Sequence, residues 1–338
     1  MLESAAARTH APLRATDHES ATMALPSPPR QLLVALRKSA LSLCHAQYIR
    51  DRLLAIYPDC DVMLRGITTQ GDRVLDQPLA EIGGKGLFIQ EIETAMLEGR
   101  ADFAVHSLKD MPMEMAPGFT IAAVPIREDP RDALVCNAWP SIDALPDGAV
   151  VGTSSLRREA QLRERKPTLR VKLLRGNVNT RVQKLDEGQY DAIILAAAGL
   201  NRLEQGHRAS ALLDPAEFLP AVGQGALALE CPVGRTDVIE WLKPLIHPPT
   251  LLAISAERAF SHALSGSCHT PIGGYATFRD DGLWLRGLIA SRDGTDILRG
   301  ERTARIDPET GKASDAEALG RELADEFLAR GAKRFIAT

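Results

Sequence analysis

A chain of 338 residues is long enough for two or three domains, and its 45% hydrophobic and 25% charged residues are the ordinary mix of a globular protein with a sizeable core in each. The net charge of -4, from 40 basic and 44 acidic residues, argues against a protein whose main task is to hold a nucleic-acid backbone. No run of about 18 apolar residues exists to cross a membrane, and Cys44, Cys60, Cys136, Cys231 and Cys268 are scattered without a CxxC pair, which points to free thiols in the cytoplasm and to no metal site.

Residues 1–30 are rich in Ala, Ser, Pro and Thr and lack an apolar signal core, so a disordered extension is expected. Residues 31–36 form a short apolar run that reads as a buried strand. Ser39 can then cap a helix reaching about residue 54, and residues 61–67 read as a second strand. Gly83-Gly84-Lys85-Gly86 is a flexible turn before a helix expected over residues 87–98. A strand at 101–106 hands over to Ser107-Leu108-Lys109-Asp110-Met111-Pro112. The pattern returns with strands at 149–151, 171–174 and 191–195, and with helices opening at Thr153-Ser154-Ser155 and at Asn177. This alternation predicts an α/β arrangement with parallel sheets. From residue 251 the pattern changes: a helix to 264, three strands at 274–278, 283–289 and 297–303, and a helix over 314–330, as in a small α+β domain.

Three segments carry candidate chemistry. Two strand-to-helix turns bring Thr153, Ser155, Arg157 and Arg158, then Arg175 and Arg181, to helix N-termini, where unpaired N–H groups favour anions. Arginine forks suit carboxylates, so a ligand with several carboxylates fits; solvated helix faces or structural ion pairs are the plainer reading. Asp110, just past a strand end, is placed either to hold a developing positive charge or merely to make a turn before Pro112. Cys268, in the small-residue loop Ser265-Gly266-Ser267-Cys268, is either a nucleophilic thiol or a small buried one.

Taken in order, Arg37-Lys38-Ser39, residues 83–88, residues 106–112, residues 152–158, Leu174-Arg175-Gly176-Asn177, residues 219–225 and Gly266-Ser267-Cys268 resemble the motifs of the porphobilinogen deaminase family, and the likeness spans residues 31–338. It implies two α/β domains like those of solute-binding proteins flanking a cleft, plus a smaller C-terminal α+β domain. The first would take residues 31–125 with a return segment at 226–245, the second 126–225 and the third 246–338. The implied activity joins four porphobilinogen molecules, with loss of ammonia, on a dipyrromethane cofactor held by a thioether to Cys268. Hydrolysis then frees the linear tetrapyrrole hydroxymethylbilane. The acetate and propionate groups would be met by Arg37, Ser39, Ser107, Lys109, Thr153, Ser155, Arg157, Arg158, Arg175 and Arg181. Asp110 would be catalytic, Lys85 would lie in a lid and Gln224 in a hinge. The family is commonly monomeric. Two positions depart from its pattern: Cys44-His45 stands where Trp-Gln is frequent, and Glu81 where many members have Lys. The competing readings are a non-catalytic two-lobed binding protein for a small polycarboxylate and a cysteine-dependent acyl-transfer enzyme.

Overall fold

The computed structural model describes residues 27–69, 89–264, 270–291 and 293–336. The expectations for Lys85, Glu81, Cys268 and residues 1–26 lie outside those residues. Strand β1 (Gln31–Arg37) is covered on both faces. Leu32, Val34 and Leu36 join one core with Ile49 and Leu53 of helix α1 (Ala40–Ile56), while Ala35 faces a second core with Ile92 and Met96. A strand buried on both sides reads as a continuous apolar run, which is why periodicity alone found it. Next come β2 (Asp61–Ile67), α2 (Gln90–Leu97) and β3 (Phe103–Ser107), with β2 and β3 both parallel to β1.

After β4 (Phe119–Ala123) the chain crosses to a second sheet. That sheet is built from β5 (Asp132–Val135), β6 (Val150–Gly152), α3 (Leu156–Arg165), β7 (Arg170–Lys172), α4 (Val178–Asp186), β8 (Ala192–Ala196), α5 (Ala197–Arg202) and β9 (Ala209–Leu213). It then crosses back as β10 (Leu227–Pro232), followed by α6 (Thr236–Leu242). The strand orders, β2-β1-β3-β10-β4 and β7-β6-β8-β5-β9, are the same topology twice.

The expectation of parallel sheets is corrected here: both are mixed. β10 is antiparallel to β3 and β4, and β5 is antiparallel to β8 and β9. Parallel neighbours need a helix to carry the chain back to the starting end. β5 and β10 instead arrive straight from the crossings. Their register shows where: Leu227 pairs with Ser107 and Asp132 with Ala196, so each enters beside the carboxyl end of a parallel strand. Both crossings therefore run along the edge where α/β sheets carry their ligands.

The C-terminal part packs α7 (Pro248–Ala263) and α8 (Ala313–Ala329) on the antiparallel meander β11 (Ile272–Arg279), β12 (Gly282–Ala290) and β13 (Ile297–Ala304). Phe260 and Phe327 meet edge to face at 5.1 Å. Gly320 lets the two helices touch, since a Cβ there would fall 2.3 Å from the Ala256 carbonyl oxygen. The architecture is thus α/β, with two sheet-bearing lobes and a smaller α+β unit.

Candidate active site

On the first lobe, Arg37 closes β1 and the Ser39 hydroxyl accepts the Ser42 amide at 3.2 Å, capping α1. A cavity of about 290 Å³ opens beside them, lined also by Lys38, Leu64 and Gly66. Ser107 ends β3, and a single 3-10 turn, Leu108–Asp110, follows. The tight turn sends neighbouring side chains in opposite directions: Leu108 is buried and Asp110 is exposed. Lys109 points at the second crossing, its Nζ 3.4 Å from Gln224 Oε1.

On the second lobe, Ser155 caps α3, and the buried Thr153 hydroxyl accepts the Ser155 amide at 3.1 Å. Asn177 caps α4 by accepting the Thr180 amide at 2.9 Å. The main chain before it turns at Gly176, whose φ of +115° favours glycine. Arg181 Nε donates to the Gly176 carbonyl at 2.7 Å, which fixes the guanidinium near Arg175.

Arg157 and Arg158 are placed differently from the other cations. Both are buried around Asp132, which has 0% exposure. Arg157 Nη1 bonds Asp132 Oδ2 at 2.7 Å and the Leu219 carbonyl at 2.6 Å; Arg158 Nη2 bonds Asp132 Oδ1 at 2.7 Å, and its Nη1 bonds the Ile194 carbonyl at 2.8 Å. Gln224 completes the cluster by donating to Asp132 Oδ1 at 2.9 Å and to the Pro130 carbonyl at 2.8 Å. Burial raises the Asp132 carboxyl, but the two arginines outweigh it and hold it well below the usual carboxylate range. Asp132 was not singled out from the sequence. The only local signal was an acid at the head of the apolar run Ala133-Leu134-Val135.

The cations around the cleft repel one another. Lys109 is pushed down to about 8 by burial, with Asp110 and Asp132 opposing the fall and Arg158 and Arg157 adding to it. Arg181 falls to about 10 through burial and then the charges of Arg158 and Arg175, with Asp110 alone opposing. Asp110 is therefore the one group that favours the charged form of both Lys109, on its own lobe, and Arg181, on the other.

The second crossing is also held by close contacts. Gly223 has φ +73°, and a Cβ there would lie 2.3 Å from Leu108 Cδ2, so this turn rests directly on the Asp110 turn. Beside it, the fully buried Glu257 of α7 accepts from Nη1 and Nη2 of Arg127, at 2.5 and 3.2 Å, and from the Gly223 amide at 2.7 Å. Arg127 and Glu257 were likewise missed, because they lie in different units and no short motif joins them.

Residues 32–240 match the model described as "Porphobilinogen deaminase, dipyromethane cofactor binding domain", and residues 251–329 match "Porphobilinogen deaminase, C-terminal domain". The porphobilinogen deaminase of Nitrosomonas europaea is 53% identical over 311 residues, covering 92% of this chain and 99% of that protein. The chain belongs to the porphobilinogen deaminase family. The Burkholderia thailandensis porphobilinogen deaminase is 53% identical over 308 residues, covering 91% of this chain and 92% of its own. Among solved structures, a putative methionine-binding lipoprotein from Bacillus subtilis aligns with 64% of this chain and 90% of its own at 13% identity and a TM-score of 0.42. The cofactor-binding match spans both mixed sheets and every cleft residue described above.

Proposed function

We propose that this chain is a hydroxymethylbilane synthase, a transferase that takes porphobilinogen, releases ammonia, joins four pyrroles and hydrolyses the linear tetrapyrrole free. The observation that carries this is the exposed Asp110 on the turn that ends β3, coupled to cations of both lobes, Lys109 and Arg181, whose charged forms are destabilised by burial and by the neighbouring arginines: Arg158 and Arg157 for Lys109, Arg158 and Arg175 for Arg181. A ligand rich in carboxylates relieves that repulsion, and a pyrrole bearing acetate and propionate brings two per ring. Arg37, Ser39, Ser107, Lys109, Thr153, Ser155, Arg175 and Arg181 would bind these groups. Arg157 and Arg158, locked on Asp132, would contribute through their field and by shaping the floor.

Loss of ammonia from porphobilinogen leaves positive charge shared with the pyrrole nitrogen. Asp110 stabilises that charge as it forms and then accepts a proton as the ring regains aromaticity. Its exposure leaves it free to reach the ring, and the Gly223 turn behind Leu108 keeps its main chain in place. A dipyrromethane cofactor, attached through Cys268, supplies the starting pyrrole end when bound. The excess of cations over Asp110 fits a group with four carboxylates. Lys85 would sit over the cleft and Gln224 in its hinge. The chain works as a monomer and in the cytoplasm, and the free thiols of Cys44, Cys60, Cys136 and Cys231 support the second of these. Its units divide as 31–125 with 226–245, 126–225 and 246–338.

The test is the denatured intact mass before and after brief exposure to porphobilinogen. An adduct of two pyrroles that maps to Cys268 and grows by single pyrroles is the expected result. A Cys268→Ser chain that still carries covalent pyrroles would move the attachment point. Wild-type protein that never gains mass, even after incubation with hydroxymethylbilane, would return the cleft to a non-catalytic polycarboxylate binder.

A further inference from the structure

One side-chain contact joins the two lobes away from the Asp132 cluster. His45 lies on α1 of the first lobe and is 3% exposed. Its Nε2 is 3.2 Å from Nη1 of Arg202, the last residue of α5 on the second lobe. Nη2 of the same arginine donates to the Gly225 carbonyl at 3.0 Å. Gly225 is where the two crossings touch: the Glu128 amide donates to its carbonyl at 3.2 Å, and a Cβ on it would fall 2.4 Å from the Glu128 carbonyl oxygen. Asn201, next to Arg202, donates to Glu128 Oε1 at 3.1 Å. A single guanidinium thus grips the first helix of one lobe and the junction of both crossings.

A guanidinium only donates, so His45 Nε2 must accept and the ring must be neutral with its proton on Nδ1. The surroundings enforce this. Burial, then Arg202, Lys109 and His106, push the imidazole down to about 3, so it stays an acceptor throughout the working range.

We propose that His45 is a positioning residue: as a neutral acceptor it anchors Arg202 and thereby sets the separation of the two lobes, and with it the width of the cleft in which Asp110 faces Arg181. Two lobes joined by only two crossings can hinge, and a clasp from α1 through Arg202 to Gly225 removes that freedom at its pivot. The inference rests on the porphobilinogen reading for its kinetic consequence and on geometry alone for the clasp.

The test uses the full chain with its cofactor, in the wild type, His45→Gln, His45→Leu, Arg202→Met and the double variant His45→Leu/Arg202→Met. Steady-state kinetics with porphobilinogen are paired with hydrogen exchange over residues 124–131 and 219–226. The amide oxygen of His45→Gln replaces the acceptor, so its KM should stay within about twofold of wild type. His45→Leu should raise KM by about tenfold with a smaller change in kcat, and should speed exchange at both crossings. The double variant should be no worse than Arg202→Met alone, because His45 acts through that arginine. Wild-type KM and exchange in His45→Leu, or losses that multiply in the double variant, would overturn the clasp. If His45→Leu does not fold, Arg202→Met decides: unchanged exchange at the crossings overturns it. A wild type inactive on porphobilinogen would sink the functional reading, and exchange would still judge the clasp.

Discussion

Arg158 and Asp132 meet through two nitrogens on one oxygen, Nε at 3.1 Å and Nη2 at 2.7 Å from Oδ1, while Arg157 takes the other oxygen. The carboxylate is fully used and fully buried, so these arginines are part of the floor on which the cleft is built. Removing one partner of such a cluster leaves charge without compensation. Asp132→Asn should therefore destabilise the fold by about 3–5 kcal/mol, read as a lower denaturant midpoint. A change under about 1 kcal/mol would mean that the cluster is dispensable. The pH sign follows from a folded value held below the unfolded one. The stabilisation is complete above the ordinary aspartate range and is lost as pH falls towards the folded value.

Asp110 is exposed on its 3-10 turn, so its loss should leave the fold intact. Asp110→Ala is expected to cut hydroxymethylbilane formation by about 10²–10⁴ with an unchanged melting curve. Near-normal turnover would remove Asp110 from the chemistry.

Lys109 titrates near 8 because burial and the arginines penalise its charge. It is cationic below that pH and neutral above it. The KM for porphobilinogen should therefore climb as pH passes about 8, and Lys109→Arg should flatten that rise. An identical pH profile in the variant would assign the titration elsewhere.

Glu257 ties the C-terminal unit to both crossings at once, accepting from Arg127, from the Gly223 amide and, within its own unit, from the Ala276 amide at 2.8 Å. Arg127 also lies over the Tyr275 ring, 5.2 Å from its centroid. Glu257→Ala should cost about 3–5 kcal/mol and expose the crossings to limited proteolysis, whereas a surface pair would cost under about 1 kcal/mol. Cleavage at the wild-type rate would show that the C-terminal unit is held by its apolar contacts instead.

Much of this protein was determined by the sequence itself, because the signals are local. Ser39, Ser155 and Asn177 each cap the helix they were expected to open, since a cap needs only a side-chain acceptor three residues before the amide it serves. The buried cores of β1 and β8 are apolar without interruption, β3 opens on Phe103-Ala104-Val105, and the C-terminal helices and meander follow from periodicity. The ordered motifs carried the family.

Tertiary structure alone decided the rest. The direction of β5 and β10 depends on where the crossings deliver them, which no window of sequence records. Asp132 gains its meaning from Arg157, 25 residues away, and Gln224, 92 away; His45 gains its own from Arg202, 157 away. A charge or an imidazole is classified by its partners and its desolvation, and both are set only when distant segments pack.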